Sequence, residues 1–216
     1  MSGRIEDYGI IGDAHTAALV SIDGSIDWLY LPRFDSPACF ASLLGDKVNG
    51  YWRIAPSAPA GGLTKVRRSY KERTLILETE FETEDGVVCL TDCMPVRSAN
   101  PRVVRKVECT HGHVDTRMDL VIRFHYGSVV PWVQNMGSVL TAVAGPDALS
   151  LWATVPVRGE NMTTVSDFTL SKRDVEFFEL NWFSSHERPA PGQRGVCDRR
   201  CRGVVARLVI FVRRAR

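Results

Sequence analysis

An all-β fold of antiparallel strands, arranged as a two-sheet sandwich larger than an immunoglobulin domain, is the class this sequence predicts, and three observations predict it. Short alternating or β-branched runs recur along the chain, and Gly-, Asp- and Pro-containing turn signals divide them at close spacing. More than nine such runs fit into about 190 residues, too many for an immunoglobulin-sized domain and suited to a larger sandwich. A heptad pattern, low-complexity tract or repeat of solenoid period is not found.

The strands follow from the turns. Ala17–Ser21 and Ser25–Leu29 flank Asp23-Gly24, a pair suited to the positive φ angles of a tight hairpin. A short helix is expected near 37–44. Asp35 or Ser36 can cap it, Pro37 suits its first turn, Ala38–Leu44 form its body and Gly45 offers a left-handed stop. Ala55–Gly62, with Pro56 and Pro59, reads as a loop. A second hairpin joins Thr74–Thr83 to Val87–Cys93 across Glu84-Asp85-Gly86, and a third joins Val103–Thr110 to Val114–His125 across His111-Gly112. Further strands are expected over Ser138–Val143, Ala148–Val155, Asn161–Leu170 and Val175–Trp182.

With 44% hydrophobic residues in 216, the chain can bury a substantial core. Glu6, Asp7, Asp13 and His15 interrupt the apolar residues near the start, so no secretory signal is expected. The longest aliphatic stretch near the end, Leu208–Val212, is far below the roughly 20 residues that cross a bilayer. These features predict a cytoplasmic protein without a membrane segment, and free thiols for its six cysteines. Cys89 and Cys93 share a strand-like run, which separates them by about 13 Å, too far for two ligands of one zinc. No metal or cofactor is expected.

Charge divides the chain. Residues 194–216 carry eight arginines against one acid, Asp198, while the rest holds 19 basic and 24 acidic side chains. Residues 1–189 are expected to form the sandwich and 190–216 an irregular, arginine-rich tail, read as an out-of-frame end. The tail lacks Lys, Tyr and Trp, so it does not have the aromatic interleaving of a nucleic-acid platform.

A nucleophile elbow, phosphate loop, H-E-x-x-H or dinucleotide fingerprint is not found. His111 and His113 flank an expected exposed turn, and His186 lies where the chain leaves the last strand. The informative stretch is the first 45 residues. It carries Ile5-Glu6-Asp7-Tyr8-Gly9-Ile10-Ile11-Gly12-Asp13, then His15-Thr16-Ala17-Ala18-Leu19-Val20, Asp27-Trp28 and Leu31-Pro32-Arg33-Phe34-Asp35-Ser36-Pro37. A Trp face can stack on the C–H face of a pyranose, and Arg and Asp can fix its hydroxyls. The structural alternative has Asp13 and Asp35 capping turns, Arg33 pairing an acid and Trp28 filling the core. The candidates for a substrate rim or a docking surface are Trp28, Arg33, Phe34, Asp35, Asp13 and His15.

This stretch resembles the amino-terminal hallmark of bacterial trehalases and glucoamylase-like proteins of glycoside hydrolase family 15. The similarity continues through Thr91-Asp92, Met94-Pro95, Ile122-Arg123-Phe124, Tyr126-Gly127 and Ala144-Gly145-Pro146-Asp147-Ala148-Leu149, to about Pro189. Ala14 and Tyr30 stand where that family often carries cysteine. The resemblance implies a super-β-sandwich packed on an (α/α)6 barrel whose two glutamates run an inverting hydrolysis. The barrel needs several hundred residues and about 27 follow Pro189, so no catalytic residue is assigned to this chain. The partner implied is that catalytic domain. Contact with trehalose or another α-glucoside is a further expectation, and an apolar face left uncovered would permit two copies to pair.

Overall fold

The computed structural model describes residues 4–57, 62–97, 100–137 and 139–189. The expected arginine-rich tail, with Cys197 and Cys201, lies outside the described residues. Fifteen antiparallel strands and four single turns of 3-10 helix make up the described fold. Strands β1 (Tyr8–Gly12), β2 (Ala17–Ser21) and β3 (Ser25–Tyr30) form a meander. Strands β4 (Ala38–Phe40) and β5 (Tyr51–Pro56) share the far edge of β3. A second meander contains β6 (Leu63–Tyr70), β7 (Leu77–Thr83) and β8 (Gly86–Cys93), and leads into the long β9 (Arg102–Val121). The remaining strands are β10 (Trp132–Asn135), β11 (Val139–Ala144), β12 (Asp147–Ala153), β13 (Arg158–Glu160), β14 (Thr163–Ser171) and β15 (Val175–Ser184).

The strand β9 belongs to both layers. Its first half lies between β8 and β15, and its second half between β5 and β14. One layer therefore runs β6-β7-β8-β9-β15-β12-β11-β10, and the other runs β1-β2-β3-β5-β9-β14-β13. A third hairpin across His111-Gly112 is not formed, because β9 continues through these residues. The positive-φ signal at Gly112 is real, at +66°, but it lies inside β9, where Gly112 pairs with Gly86 beside a register shift at Thr110. A β-carbon there would meet the Asp85 carbonyl oxygen at 1.9 Å, so only glycine permits the two chains to approach. His111 and His113 are exposed beside it.

The helix expected near 37–44 is also absent. Ala38, Cys39 and Phe40 are all buried in β4, and only Ser42–Leu44 make a 3-10 turn. Gly45 ends that turn at φ −151°, outside the left-handed region. An extended segment buries all three residues between β3 and the Arg123 backbone, which donates to the Cys39 carbonyl. A helix of two turns would turn one side away from the core. The Asp23-Gly24 hairpin forms as expected, with Gly24 at φ +79° and its N–H on the Ser21 carbonyl at 3.1 Å. Sequence patterning missed β6, whose residues are mostly exposed and include Lys65, Arg67 and Arg68, as befits an edge strand paired on one side only.

One core lies between the layers, with Ile11, Val20 and Ile54 from one side and Leu90, Phe178 and Leu180 from the other. Each such side chain contributes about 1.5–3 kcal/mol relative to exposure. Within this core sits a charge pair. Arg105 of β9 and Asp92 of β8 stand opposite in register and have no exposed surface. The guanidinium donates to both Asp92 oxygens, at 2.8 and 3.3 Å. It also donates to the carbonyls of Trp52, at 2.5 Å, and Gly24, at 2.7 Å, in the opposite layer. The cation lies 5.0 Å from the Trp52 ring centre. A buried charge survives only when its donors are used, and here they stitch the two layers together. Among the described residues no helix is long and apolar enough to cross a membrane.

Candidate functional site

The loops after β1 and β3 meet at one end of the sandwich, and Asp13 organises them. Its Oδ1 accepts the N–H groups of His15 and Thr16, both at 2.9 Å, which closes an Asx-type turn. Its Oδ2 accepts Arg97 Nε at 2.9 Å, and Arg97 Nη2 reaches the Pro32 carbonyl at 2.6 Å. The Phe34 N–H then donates to the His15 carbonyl at 3.1 Å, and Thr16 Oγ1 to the Tyr30 carbonyl at 2.6 Å. Three separate segments are held in one arrangement by a carboxylate that is itself buried. Asp13 is therefore committed to shaping the rim, and its oxygens already have protein donors.

The rim's outer side chains point to solvent. Arg33 and Asp35 pair through Nε and Oδ1 at 3.0 Å with side chains 69% and 71% exposed. Phe34 between them and His15 across the turn are exposed as well. An aromatic face beside a cation and an anion is suited to holding a polyhydroxylated ligand or a complementary protein surface.

Trp28 joins a different group. It is half-buried, packs edge-on against Tyr30 at 5.2 Å and lies 6.0 Å from the Tyr126 ring. Trp52, unlike Trp28, is fully buried in the core. Tyr126 and the preceding His125 both have left-handed backbones, at φ 60° and 51°, a conformation that costs non-glycine residues energy and is held by its surroundings. The structure thus brings Asp13, His15, Arg33, Phe34 and Asp35 together through two crossed loops, and places Trp28 in an aromatic cluster joined to them through Tyr30.

Arg97 and Tyr126 are neighbours of these side chains that the sequence candidates leave out. Arg97 follows Met94-Pro95 and Tyr126 opens the Tyr126-Gly127 motif, but neither has a local signal for its long-range partner. Burial pushes the Cys39 thiol, under this rim, well above the usual thiol range, with the Asp147 charge adding to the effect. Burial likewise pushes the Cys89 thiol up to about 11. Cys39, Cys89 and Cys109 have free thiols, and no group of three or more His, Cys, Asp or Glu among the described residues could hold a metal ion.

The family described as "Trehalase-like, N-terminal" matches residues 1–164, which include every rim residue. The chain belongs to this family. Among its relatives, the trehalase of Thermoplasma volcanium is 32% identical over 160 residues, covering 72% of this chain and 25% of that protein. The trehalase of Mycolicibacterium smegmatis is 30% identical over 217 aligned residues, covering 87% of this chain and 31% of that protein. The trehalase of Thermoplasma acidophilum is 39% identical over 124 residues, covering 55% and 21% respectively. The chain thus spans between about a fifth and a third of the length of these relatives, in which the trehalase-like domain is amino-terminal. The fold continues past the family match, since β15 fills the place between β9 and β12.

Proposed function

We propose that this chain is the amino-terminal sandwich of a glycoside hydrolase family 15 α-glucosidase of the trehalase or glucoamylase type, and that it packs on and supports an (α/α)6 catalytic domain. The observation that carries this reading is the family match, together with relatives named trehalase that extend well beyond the aligned region. On this reading the chemistry belongs to the catalytic domain, and the sandwich is a scaffold. The free thiols of Cys39, Cys89 and Cys109 support a reducing, cytoplasmic setting. Co-expression of this chain with the part of the M. smegmatis trehalase that follows the aligned region tests the reading. The expected result is a one-to-one complex on co-purification, and two separate proteins would contradict it.

The exposed Arg33–Phe34–Asp35 rim favours a second reading, in which the sandwich also touches an α-glucoside. Titration calorimetry with trehalose and maltooligosaccharides tests this. Heat that disappears in Phe34→Ala supports the contact, and its absence in the intact chain removes it.

A further inference from the structure

Beyond the rim, the same end of the molecule carries an apolar surface that no core residue covers. Two 3-10 turns, Ser42–Leu44 and Lys47–Asn49, fold back on each other, with the Ala41 N–H on the Asn49 carbonyl at 3.1 Å and the Ser42 N–H on the Gly50 carbonyl at 3.2 Å. A third, His125–Gly127, packs on them so closely that a β-carbon at Gly127 would meet the Asn49 side chain at 2.9 Å. These turns present Leu44 and Val48, 68% and 67% exposed, beside the exposed Tyr126. The chain then closes the Phe124–Val129 bridge and enters the edge strand β10, whose Trp132 is 74% exposed. Short turns are an expensive place to leave large apolar side chains in water unless a partner covers them.

The register of the sheet shows what lies next to this surface. Trp132 pairs with Val143, Ala144 with Asp147, and Asp147 with Ser184, the last residue of β15. The Ser185 N–H caps the same turn through the Pro146 carbonyl at 2.9 Å. The chain therefore leaves its last strand at the end of the sheet that carries Trp132. In the trehalase relatives more than two thirds of the protein lies outside the aligned region. A domain tethered at that exit meets this surface at high effective concentration, so modest apolar contact suffices to hold it.

We infer that Leu44, Val48, Tyr126 and Trp132 form the face onto which the catalytic domain of the larger protein docks, an inference that rests on the reading under Proposed function. A second copy of this chain is the competing occupant, and the test separates the two. Hydroxyl-radical footprinting compares this chain alone with the intact M. smegmatis trehalase at the aligned positions, taking Met162, 71% exposed on the β13–β14 turn, as the reference. The expected result is roughly ten-fold lower labelling of the four positions in the intact trehalase, the contrast between an exposed and an interface-buried side chain, with the Met162 position unchanged. Protection of another face with these four still labelled overturns the inference and leaves the two-domain reading standing. No protected face at all overturns both. Labelling of Trp132 that falls as this chain is concentrated, without protection in the intact trehalase, assigns the face to a second copy and also overturns the inference.

Discussion

Asp92–Arg105 and Asp13–Arg97 are the same chemical pair at nearly the same distance, 2.8 and 2.9 Å, in two different regions. The first sits between strands with neither side chain exposed, and its cation also holds carbonyls of the opposite layer. The second sits under loops, where Arg97 keeps some contact with solvent and the carboxylate holds backbone N–H groups of its own turn. One kind of ion pair thus does two jobs in this fold. In the core it fixes how the layers face each other, and at the rim it fixes how the outer side chains are presented.

Breaking the core pair has the largest expected effect. Arg105→Met strands the Asp92 carboxylate in the interior, and loss of about 3–5 kcal/mol is expected in denaturant unfolding, as for other buried pairs cut on one side. The double variant Arg105→Met/Asp92→Leu is expected to recover part of that loss. A double variant no more stable than the single one would mean that the carbonyl contacts of Arg105, and not the charge pair, carry its contribution.

Asp13→Ala is expected to cost about 1–3 kcal/mol through the orphaned donors of His15, Thr16 and Arg97. Its damage should stay local, with faster amide exchange at Thr16 and Phe34 than the drop in global stability explains. Exchange that rises uniformly through β9 would erase the distinction between the regions.

At the exposed extreme, Arg33→Ala is expected to change stability by less than about 1 kcal/mol, because both partners are solvated. Its melting temperature should match the parent while any saccharide heat is lost.

The pH response sharpens the same contrast. A hydrogen bond from Arg158, helped by the Arg117 charge, holds the Asp167 carboxyl below the usual carboxylate range. A lowered folded-state value means this contribution is complete above the ordinary carboxylate range and fades as pH falls through the lowered value. The group is largely exposed, so Asp167→Asn is expected to flatten the acid limb of the melting curve only slightly. A large change would show that surface pairs matter more here than their solvation permits.

How much of this was legible in the sequence depended on whether the signal was local. Asp23-Gly24 announced its hairpin because the turn needs a positive φ that its own residues supply. Gly112 sent the same signal but serves a close approach of two strands, and the partner that decides this, Asp85, is distant in sequence. Ala38–Phe40 looked helical because Pro37 and Gly45 bracket it, yet the edge of β3 offered burial on both sides. Asp92 and Arg105 each occupy the inward phase of an apolar run, between Leu90 and Met94 and between Val103 and Val107. That misplaced pair of charges was a readable sign of a buried partner. Of the rim, the residues in the first 45 positions were readable from their motif, whereas Arg97 and Tyr126 reach it only through the fold.

The proposed function has this sandwich serve a catalytic domain and leaves the hydrolysis of sugar to that domain. Glucose release from trehalose tests it most directly, measured for this chain, for the remainder of the M. smegmatis trehalase expressed without its aligned segment, and for the two co-expressed. No release by this chain, little or none by the remainder, and activity restored in the co-expressed pair are the expected results. A remainder fully active by itself, or turnover by this chain that survives removal of contaminating hydrolases, would contradict it.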